Sequence, residues 1–401
     1  MGSKRYMLRN GLAVLLEKEI PQAKRFVDPF CGGGSVVHHV AEKYNIPTLS
    51  SDVQQYAIIL SGAITLRNKV VDSGSLTDSW VNKSYKELKK NELYIKAQNI
   101  ESSELELKKI VSKSRNLTKI TSSVGPIWNA YGGHYYSPSQ ALAIDYLLKY
   151  LPKKNPEKIV CHAALITAAS RCAAAPGHTA QPFQPTLNAG KFLYQSWRRD
   201  IFASTEKALH EIAKHHAHIP GETQVMDANE ITHRLNVNDL VFLDPPYSGV
   251  QYSRFYHVLE TIARGQIGEV SGIGRYPNLD ERPQSKYSNS GQSAKALEDL
   301  MEAIAKTGAK VILTFPKGKC SNGLSGAKVK KICKKYFTVE NDDEHVRGYF
   351  STLGGNNKEK NRPHKKESVE MILLLSSRHV SKPVVNKIDN VKNSVHILAK
   401  S

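Results

Sequence analysis

Apolar runs alternate with helix-like stretches over the first seventy residues. The segments RFVDPF (25–30) and PTLSSD (47–52) are predicted to be short strands. SVVHHVAEKY and QQYAIILSGAITLRN, which follow them, have helical spacing. Strand, helix, strand, helix is the order of a parallel sheet with crossover helices.

The alternation stops at residue 71 and resumes near residue 220. Residues 71–219 have mostly helical patterns, with a helix predicted from Ser137, and few strand-like runs. Strands are predicted again at DLVFL, at AKVILTFP (309–316) and at ESVEMILLL (367–375). We therefore expect an α/β core made of residues 1–70 and 220–376, a helical insertion at 71–219 and a basic tail at 377–401. The polar, basic run 356–368 predicts a solvated loop.

Composition narrows the possible partners. The chain has 401 residues and a formal net charge of +19, which favours a polyanion, with nucleic acid ahead of an anionic membrane. Its five cysteines form no C-x-x-C pair, so neither a zinc site nor a disulfide framework is predicted, and reduced thiols in a cytoplasm are expected. No apolar run is long enough to span a bilayer, and no signal peptide is predicted.

The loop DPFCGGGS predicts a cofactor site. Its glycines follow a strand and precede a helix, where a backbone without side chains can approach a ligand closely. Asp52 and Asp227 follow other strands, and a carboxylate at such a place accepts hydrogen bonds from a nucleoside, although a helix cap is the structural alternative. The F-x-G-x-G spacing (Phe30, Gly32, Gly34) and the lack of a Walker lysine suit a cofactor without phosphates, of which S-adenosylmethionine is the obvious candidate.

DPFCGGGS followed by DPPY (244–247) resembles the Dam-like, alpha-group N6-adenine DNA methyltransferases. MGSKR resembles the first motif of that group, and VMDAN (225–229) resembles its third cofactor motif. The resemblance implies a Rossmann-like class I methyltransferase sheet, an insertion that recognises the target, and S-adenosylmethionine held near Lys4, Asp28, Phe30, Gly32, Gly34, Asp52 and Asp227. It implies double-stranded DNA as the partner, with a cognate restriction endonuclease as a further candidate. The insertion does not match the Dam type, so a GATC target does not carry over.

The DPPY tetrapeptide has a chemical rationale of its own. The exocyclic amine of adenine is a poor nucleophile, because its lone pair is delocalised into the ring. The Asp244 carboxylate and the Pro245 carbonyl would accept its hydrogens, while the turn at Pro246 holds the second acceptor still. Tyr247 offers a ring on which a flipped base can stack, worth roughly 1–3 kcal/mol. These four residues are the predicted catalytic group.

Candidate DNA contacts lie on both sides of this site. Tyr252 and Arg254 follow the tetrapeptide, while Arg198 and Arg199 lie in the insertion, where helix-surface charges are the alternative. Phe255, Tyr256 and His257 fit either a base pocket or a helix core, and Asn322 is a weaker substrate candidate.

Three other functions remain open at this point: a cytosine-N4 DNA methyltransferase, an RNA base methyltransferase, and an inactive DNA-binding protein on the same fold. The intact tetrapeptide speaks against the inactive protein. The long gap between glycine loop and tetrapeptide favours DNA over RNA.

Overall fold

The computed structural model describes residues 4–121, 124–351 and 365–378. Its centre is a seven-stranded sheet, and a small two-stranded hairpin lies apart from it. In chain order the described strands are β1 (Arg25–Asp28), β2 (Thr48–Asp52), β3 (Glu222–Val225), β4 (Asp239–Leu243), β5 (Val270–Ser271), β6 (Tyr276–Pro277), β7 (Lys310–Pro316), β8 (Phe337–Ser351) and β9 (Lys365–Ser377). The order across the sheet is β3-β2-β1-β4-β7-β9-β8, and β5 pairs with β6.

The five adjacent strands β3, β2, β1, β4 and β7 run parallel, whereas β9 is antiparallel to both of its neighbours. In the parallel part, β1 lies between β2 and β4, so Val27 is opposite both Leu49 and Val241. The carboxyl ends of parallel strands share one edge of a sheet, and ligands of open α/β folds bind at that edge. The residues that follow β1, β2 and β4 therefore come together.

Helices surround the sheet. Those outside the stretch between β2 and β3 are Lys4–Arg9, Leu12–Glu19, Ser35–Lys43, Ser253–Arg264, Ser293–Thr307 and Gly326–Tyr336. Short 3-10 turns lie at Ile20–Gln22, Ile231–Arg234, Leu279–Glu281 and Lys286–Ser288.

The described residues of the connection from β2 to β3 form helices joined by turns and by a longer loop at 173–189, with one isolated bridge. Its helices are Gln55–Thr65, Ser73–Leu76, Lys83–Leu88, Glu92–Glu101, Leu107–Ile120, Pro126–Tyr131, Pro138–Lys149, Glu157–Cys172, Gly190–Trp197 and Ile201–Ala213, with a π-helical segment at Thr77–Asn82. The helix predicted from Ser137 is confirmed, because the Ser137 side chain caps Pro138–Lys149 in a capping box with Gln140.

The main hydrophobic core joins one face of the sheet to these helices. Helix Gln55–Thr65 is apolar on nearly all sides because it packs on β2, on β3, on Glu157–Cys172 and on Ser253–Arg264. A second core fills the other sheet face, against Ser293–Thr307 and Gly326–Tyr336. A third, smaller cluster lies within the insertion, around Ile110, Leu193 and Trp197.

The structure confirms the predicted mixed α/β fold with a mostly parallel sheet. It adds β8, which the sequence did not predict, because the acidic stretch that follows Val339 interrupts the apolar alternation and the strand shifts register twice against β9. Of the predicted solvated loop, residues 356–364 lie outside the described residues and 365–368 begin β9. The predicted basic tail lies outside them from residue 379 onward. Within the described chain, every helix is too short or too polar to cross a bilayer.

Candidate active site

A cavity of about 260 Å³ opens at the carboxyl edge of the parallel strands. Its wall is built from segments far apart in the sequence: Lys4, the glycine loop, the residues after β2, those after β3, the DPPY tetrapeptide, the two tyrosines of the next helix, and Ser285. The fold therefore brings both predicted motifs, the glycine loop and the DPPY tetrapeptide, to the same cavity.

The glycine loop shapes one end of the cavity. Gly32 adopts φ +48°, a conformation that side chains rarely tolerate, and its N–H donates to Asp52 Oδ2 at 3.1 Å. A Cβ at Gly33 would meet no atom within 4 Å, so the backbone here borders open space. Gly34, at φ +79°, is not part of the wall. A Cβ there would lie 2.5 Å from His38 Nε2, so its role is to admit the helix Ser35–Lys43.

Three of the predicted cofactor acids line this end. Asp28 is buried and accepts a hydrogen bond from the Phe30 N–H at 3.2 Å. Burial, reinforced by the charges of Asp244 and Asp52, raises the pKa of Asp28 well above its usual range. Burial also raises the pKa of Asp52 to about 6, although its oxygens accept N–H groups from Gly32 and Gln54. Asp227 lies two residues beyond β3 and joins the same wall.

Aromatic rings cover the remaining apolar surface of this end. Phe30 packs edge-on against the buried Tyr287, with ring centroids 5.0 Å apart. Tyr56 and Tyr256 lie side by side in the wall, with centroids 5.3 Å apart.

The tetrapeptide follows β4, which is buried along its whole length. Asp244 Oδ1 lies 2.8 Å from Lys4 Nζ and accepts a hydrogen bond from Thr314 Oγ1 at 3.0 Å. Lys4 also bonds Glu370 Oε2, on β9, at 3.0 Å. Burial lowers the pKa of Lys4, but the carboxylates of Asp244 and Glu370 outweigh it, so the net effect raises that pKa and Lys4 stays charged. The Asp244 carboxylate, the predicted catalytic acid, is therefore oriented by a cation on one side and a hydroxyl on the other.

Asn322 fixes the proline turn from below. Its amide nitrogen donates to the Pro246 carbonyl at 2.8 Å and to the Tyr287 carbonyl at 3.0 Å, while its oxygen accepts from the Leu324 N–H. The side chain is completely buried, so the prediction that Asn322 contacts substrate is wrong. Its amide hydrogens are both used in hydrogen bonds that connect the tetrapeptide to the segment around Tyr287.

The residues after the tetrapeptide divide between pocket and core. Tyr252 and Tyr256 line the cavity, whereas Phe255 and His257 are buried in the helix interface, His257 with both ring nitrogens near the carbonyls of Arg254 and Gly274. Burial raises the pKa of Tyr252, and its neighbours Tyr247 and Asp244 add to the effect.

The predicted arginines lie outside the cavity wall. Arg254 is exposed and stacks over the ring of Tyr276, at 4.7 Å. Arg198 and Arg199 are exposed at the end of the helix Gly190–Trp197. Arg198 lies over Tyr194, and Arg199 donates to the Arg171 carbonyl.

Several site residues carried no recognisable signal in the sequence. Thr314 and Glu370 lie in ordinary apolar strands, and only the sheet order brings Thr314 to Asp244 and Glu370 to Lys4. Glu260 is buried within the helix Ser253–Arg264, where its carboxylate accepts the N–H groups of Gln55 and Tyr56 at 3.0 Å each. It thus caps, from another element, the helix that follows Asp52, and Arg264 pairs with it at 2.8 Å.

Comparison with known proteins points to the same family as the sequence motifs. The family model for D12 class N6 adenine-specific DNA methyltransferases matches residues 1–134 and 175–312, which include the glycine loop and the tetrapeptide. The unmatched residues between them contain the helices Pro138–Lys149 and Glu157–Cys172.

Three curated relatives are similar over parts of the chain. Type II methyltransferase M.FokI of Planomicrobium okeanokoites is 24% identical over 315 residues, which are 75% of this chain and 42% of that protein. Modification methylase StsI of Streptococcus sanguinis is 34% identical over 92 residues, which are 22% and 13% of the two chains. Modification methylase LlaI of Lactococcus lactis subsp. lactis is 41% identical over 66 residues, which are 16% and 10%. The chain thus spans less than half the length of each of these relatives.

Proposed function

Because the chain belongs to the D12 class N6 adenine-specific DNA methyltransferase family, we propose that it methylates the N6 amino group of adenine in double-stranded DNA, with S-adenosylmethionine as methyl donor. The observation that carries the proposal is the single cavity shared by the glycine loop with its acids and by the DPPY tetrapeptide. A cofactor and a base held in one cavity can react directly, without a covalent enzyme intermediate.

The residues at the glycine-loop end fit this cofactor. S-adenosylmethionine carries a sulfonium and an ammonium, and supplies an electrophilic methyl group when bound. Asp52, with a pKa of about 6, provides negative charge at neutral pH and can accept hydrogen bonds from ribose hydroxyls, while the buried Asp28 offers a further polar group beside it. Phe30 offers an apolar surface for a nucleobase, and Asp227 an acceptor for its amino group. The bare backbone at Gly32 and Gly33 leaves room for the chain of the amino acid part.

The other end of the cavity suits a planar base that bears an amine. Asp244 accepts one amine hydrogen, and the Pro245 carbonyl accepts the other, which draws the nitrogen toward a tetrahedral, nucleophilic state. Lys4 and Thr314 keep the Asp244 carboxylate oriented while it does so. Tyr247 stacks on the base, which must leave the duplex to reach this depth. Positioning of the two reactants lowers the activation barrier by several kcal/mol.

The insertion is the proposed target-recognition region, and the core residues 1–70 and 220–376 the proposed methyltransferase domain. Two of the relatives are named modification methylases, which supports a role in a restriction–modification pair with a cognate endonuclease.

Labelled-methyl transfer tests the proposal. The purified chain is incubated with S-adenosylmethionine carrying a labelled methyl group and with either duplex DNA or RNA, and the nucleosides are then separated. We expect the label in N6-methyladenine from DNA, and at least about a hundredfold less with Asp244→Ala. Label in N4-methylcytosine or in RNA would replace the proposed substrate, and no transfer to any nucleic acid would overturn the proposed function. Sequencing of modified DNA from an expressing, otherwise methylation-free host would give the target site.

A further inference from the structure

One face of the helix Gly190–Trp197 is unusual for a protein surface. Phe192 and Tyr194 are 44% and 42% exposed, and Leu187 in the loop before the helix is fully exposed. Isolated exposed apolar residues are common, but three within eight residues form a patch that calls for a partner. The exposed positions of the helix and its C-cap are Lys191, Phe192, Tyr194, Gln195 and Arg198, which we call the aromatic–basic face.

The helix is held firmly from behind. Leu193 and Trp197 are buried in the cluster around Ile110, and Trp197 Nε1 lies 3.4 Å from the His134 carbonyl. The exposed and buried positions divide the helix into two clean halves, as expected of an element with a fixed orientation. The exposure of Phe192 and Tyr194 therefore belongs to the folded state rather than to a frayed segment.

Cations and rings are combined on this face. The Arg198 guanidinium lies 5.2 Å from the centre of the Tyr194 ring, and Lys191 lies 5.0 Å from that of Phe192. Arg198 also donates one N–H to the Tyr194 hydroxyl, and its remaining N–H groups fit phosphate oxygens or guanine edges, while the amide of Gln195 fits the paired donor and acceptor of adenine. The exposed side chains of the face carry two positive charges and no negative one, which suits a nucleic acid better than an acid-bearing protein.

The loop that leads to the helix is attached to the wall of the cavity. The Thr179 N–H and hydroxyl both donate to the Phe255 carbonyl, at 2.7 and 2.8 Å. The rings of His178 and Phe255 are 5.3 Å apart, and Phe255 is 6.2 Å from Tyr252, which lines the cavity. The start of this loop is thus held against the helix that follows the tetrapeptide, and its end leads into the aromatic–basic face.

We propose that the aromatic–basic face of Gly190–Trp197 contacts the DNA duplex beside the flipped base and contributes to the choice of target sequence. This inference rests on the proposed function, and it assigns part of the recognition to specific residues. Arg198 binds a phosphate or a guanine, Gln195 a base edge, and the rings of Phe192 and Tyr194 cover sugar and apolar base surface.

The chain offers a matched control. Tyr85 and Lys89 also form an exposed ring–cation pair, with Tyr85 38% exposed and Lys89 Nζ 4.4 Å from its ring. In both pairs the tyrosine is inside a short helix and the cation is its C-cap, four residues on. Tyr85 packs against Phe202 instead of extending an apolar patch. Removing either pair costs the protein one ring and one positive charge.

The test compares Tyr194→Ala/Arg198→Ala with Tyr85→Ala/Lys89→Ala. The probe is a fluorescent duplex that carries the site identified by sequencing of methylated host DNA, and sinefungin binding reports the cofactor end. We expect the first variant to bind the duplex at least tenfold more weakly with unchanged sinefungin affinity, and the second to stay within twofold of the wild type. Equal losses in both variants, or no loss in either, would overturn the inference.

Two further measurements keep the result decisive. If the double variant is unfolded by circular dichroism, Arg198→Gln replaces it, and the slope of log affinity against log salt should then become shallower by about one, or the methylated sequence should relax at one position. An unchanged slope together with an unchanged sequence preference contradicts the proposal. Methyl transfer by the wild type in the same preparation separates the two claims: transfer with no role for the face leaves the proposed function standing, while the absence of transfer refutes that function on its own.

Discussion

Buried acids are used differently in the insertion and at the edge of the sheet. In the insertion, Asp145 accepts the N–H groups of Ile127 and Trp128, and thereby caps the helix Pro126–Tyr131. Glu101 accepts bonds from the Ser139 N–H and from the hydroxyls of Ser137 and Ser139. Each of these carboxylates faces protein, far in sequence from the group it holds, and does the work of a helix cap.

The acids around the cavity also accept backbone hydrogen bonds, so hydrogen bonding alone does not distinguish them. The difference is that Asp28, Asp52 and Asp244 all border one space and act on one another, since the charges of Asp244 and Asp52 raise the pKa of Asp28. An isolated buried acid stabilises the fold, whereas a group of acids beside a cavity keeps electrostatic potential for a ligand. Substitutions in the two regions should therefore alter different measurements.

Asp244→Ala should give the largest effect. Loss of the carboxylate that accepts the amine hydrogen should lower turnover by about a hundredfold or more, because that interaction is made in the transition state. Sinefungin affinity should change little, and the protein should remain folded, since Lys4 keeps Glu370. Single-turnover methylation checks this, with Asp145→Ala as the contrasting variant. Normal turnover in Asp244→Ala would remove the acid from the chemistry.

Asn322→Asp should come next. The substitution keeps the shape but places a carboxylate against the carbonyls of Pro246 and Tyr287, which shifts the proline turn. A small misplacement of reacting groups costs about ten- to a hundredfold in rate. We expect kcat to fall with little change in the sinefungin dissociation constant. A loss confined to thermal stability, with kcat unchanged for the folded protein, would show that Asn322 supports only the fold.

Asp145→Ala should affect stability and spare catalysis. Removing the cap leaves two buried N–H groups without their acceptor, at a cost of about 1–2 kcal/mol in the free energy of unfolding. Urea denaturation measures this, and turnover per folded molecule should equal that of the wild type. A fall in turnover without a loss of stability would mean that the insertion acids share the role of the pocket acids.

Asp52 should produce the smallest effect, visible as a pH dependence. Its pKa in the folded protein is about 6, above the value in the unfolded chain, so its contribution to stability is present at low pH and is lost as the pH rises through 6. Ribose binding needs the ionised acceptor, so cofactor affinity should change in the opposite direction and fall by up to about tenfold per pH unit below 6. Sinefungin titration between pH 5 and 8 tests this. Asp52→Asn should give a weaker but pH-independent affinity, and an unchanged pH dependence in that variant would assign it to another group.

Local pattern accounts for much of this architecture. Short strand-like segments with an acid at their carboxyl end marked β1, β2 and β4, and the residues around Ser137 marked the start of a helix. The parts that escaped prediction depend on contacts between distant segments. Glu370 meets Lys4 only because β9 enters beside β7, and Asn322 meets Pro246 only because the loop after β7 folds under the tetrapeptide.

Contacts between distant segments also decide which of the neighbouring aromatic residues after the tetrapeptide face the cavity and which lie in the core. Tyr252, Phe255, Tyr256 and His257 lie within six residues of one another, and the sequence left a base pocket and a helix core open for the last three. The direction from which the insertion packs on Ser253–Arg264 decided that Phe255 and His257 are core while the two tyrosines face the cavity.

The attachment of Glu260 to the start of the helix Gln55–Thr65 has a consequence for how ligands enter and leave the cavity. Together with the contact between Tyr56 and Tyr256, it joins the helix that follows β2 to the helix that follows the tetrapeptide. Separation of these two helices would expose the buried Glu260 carboxylate and break its two hydrogen bonds to the backbone at once. We therefore expect this side of the cavity to stay closed while the proposed cofactor enters and its product leaves.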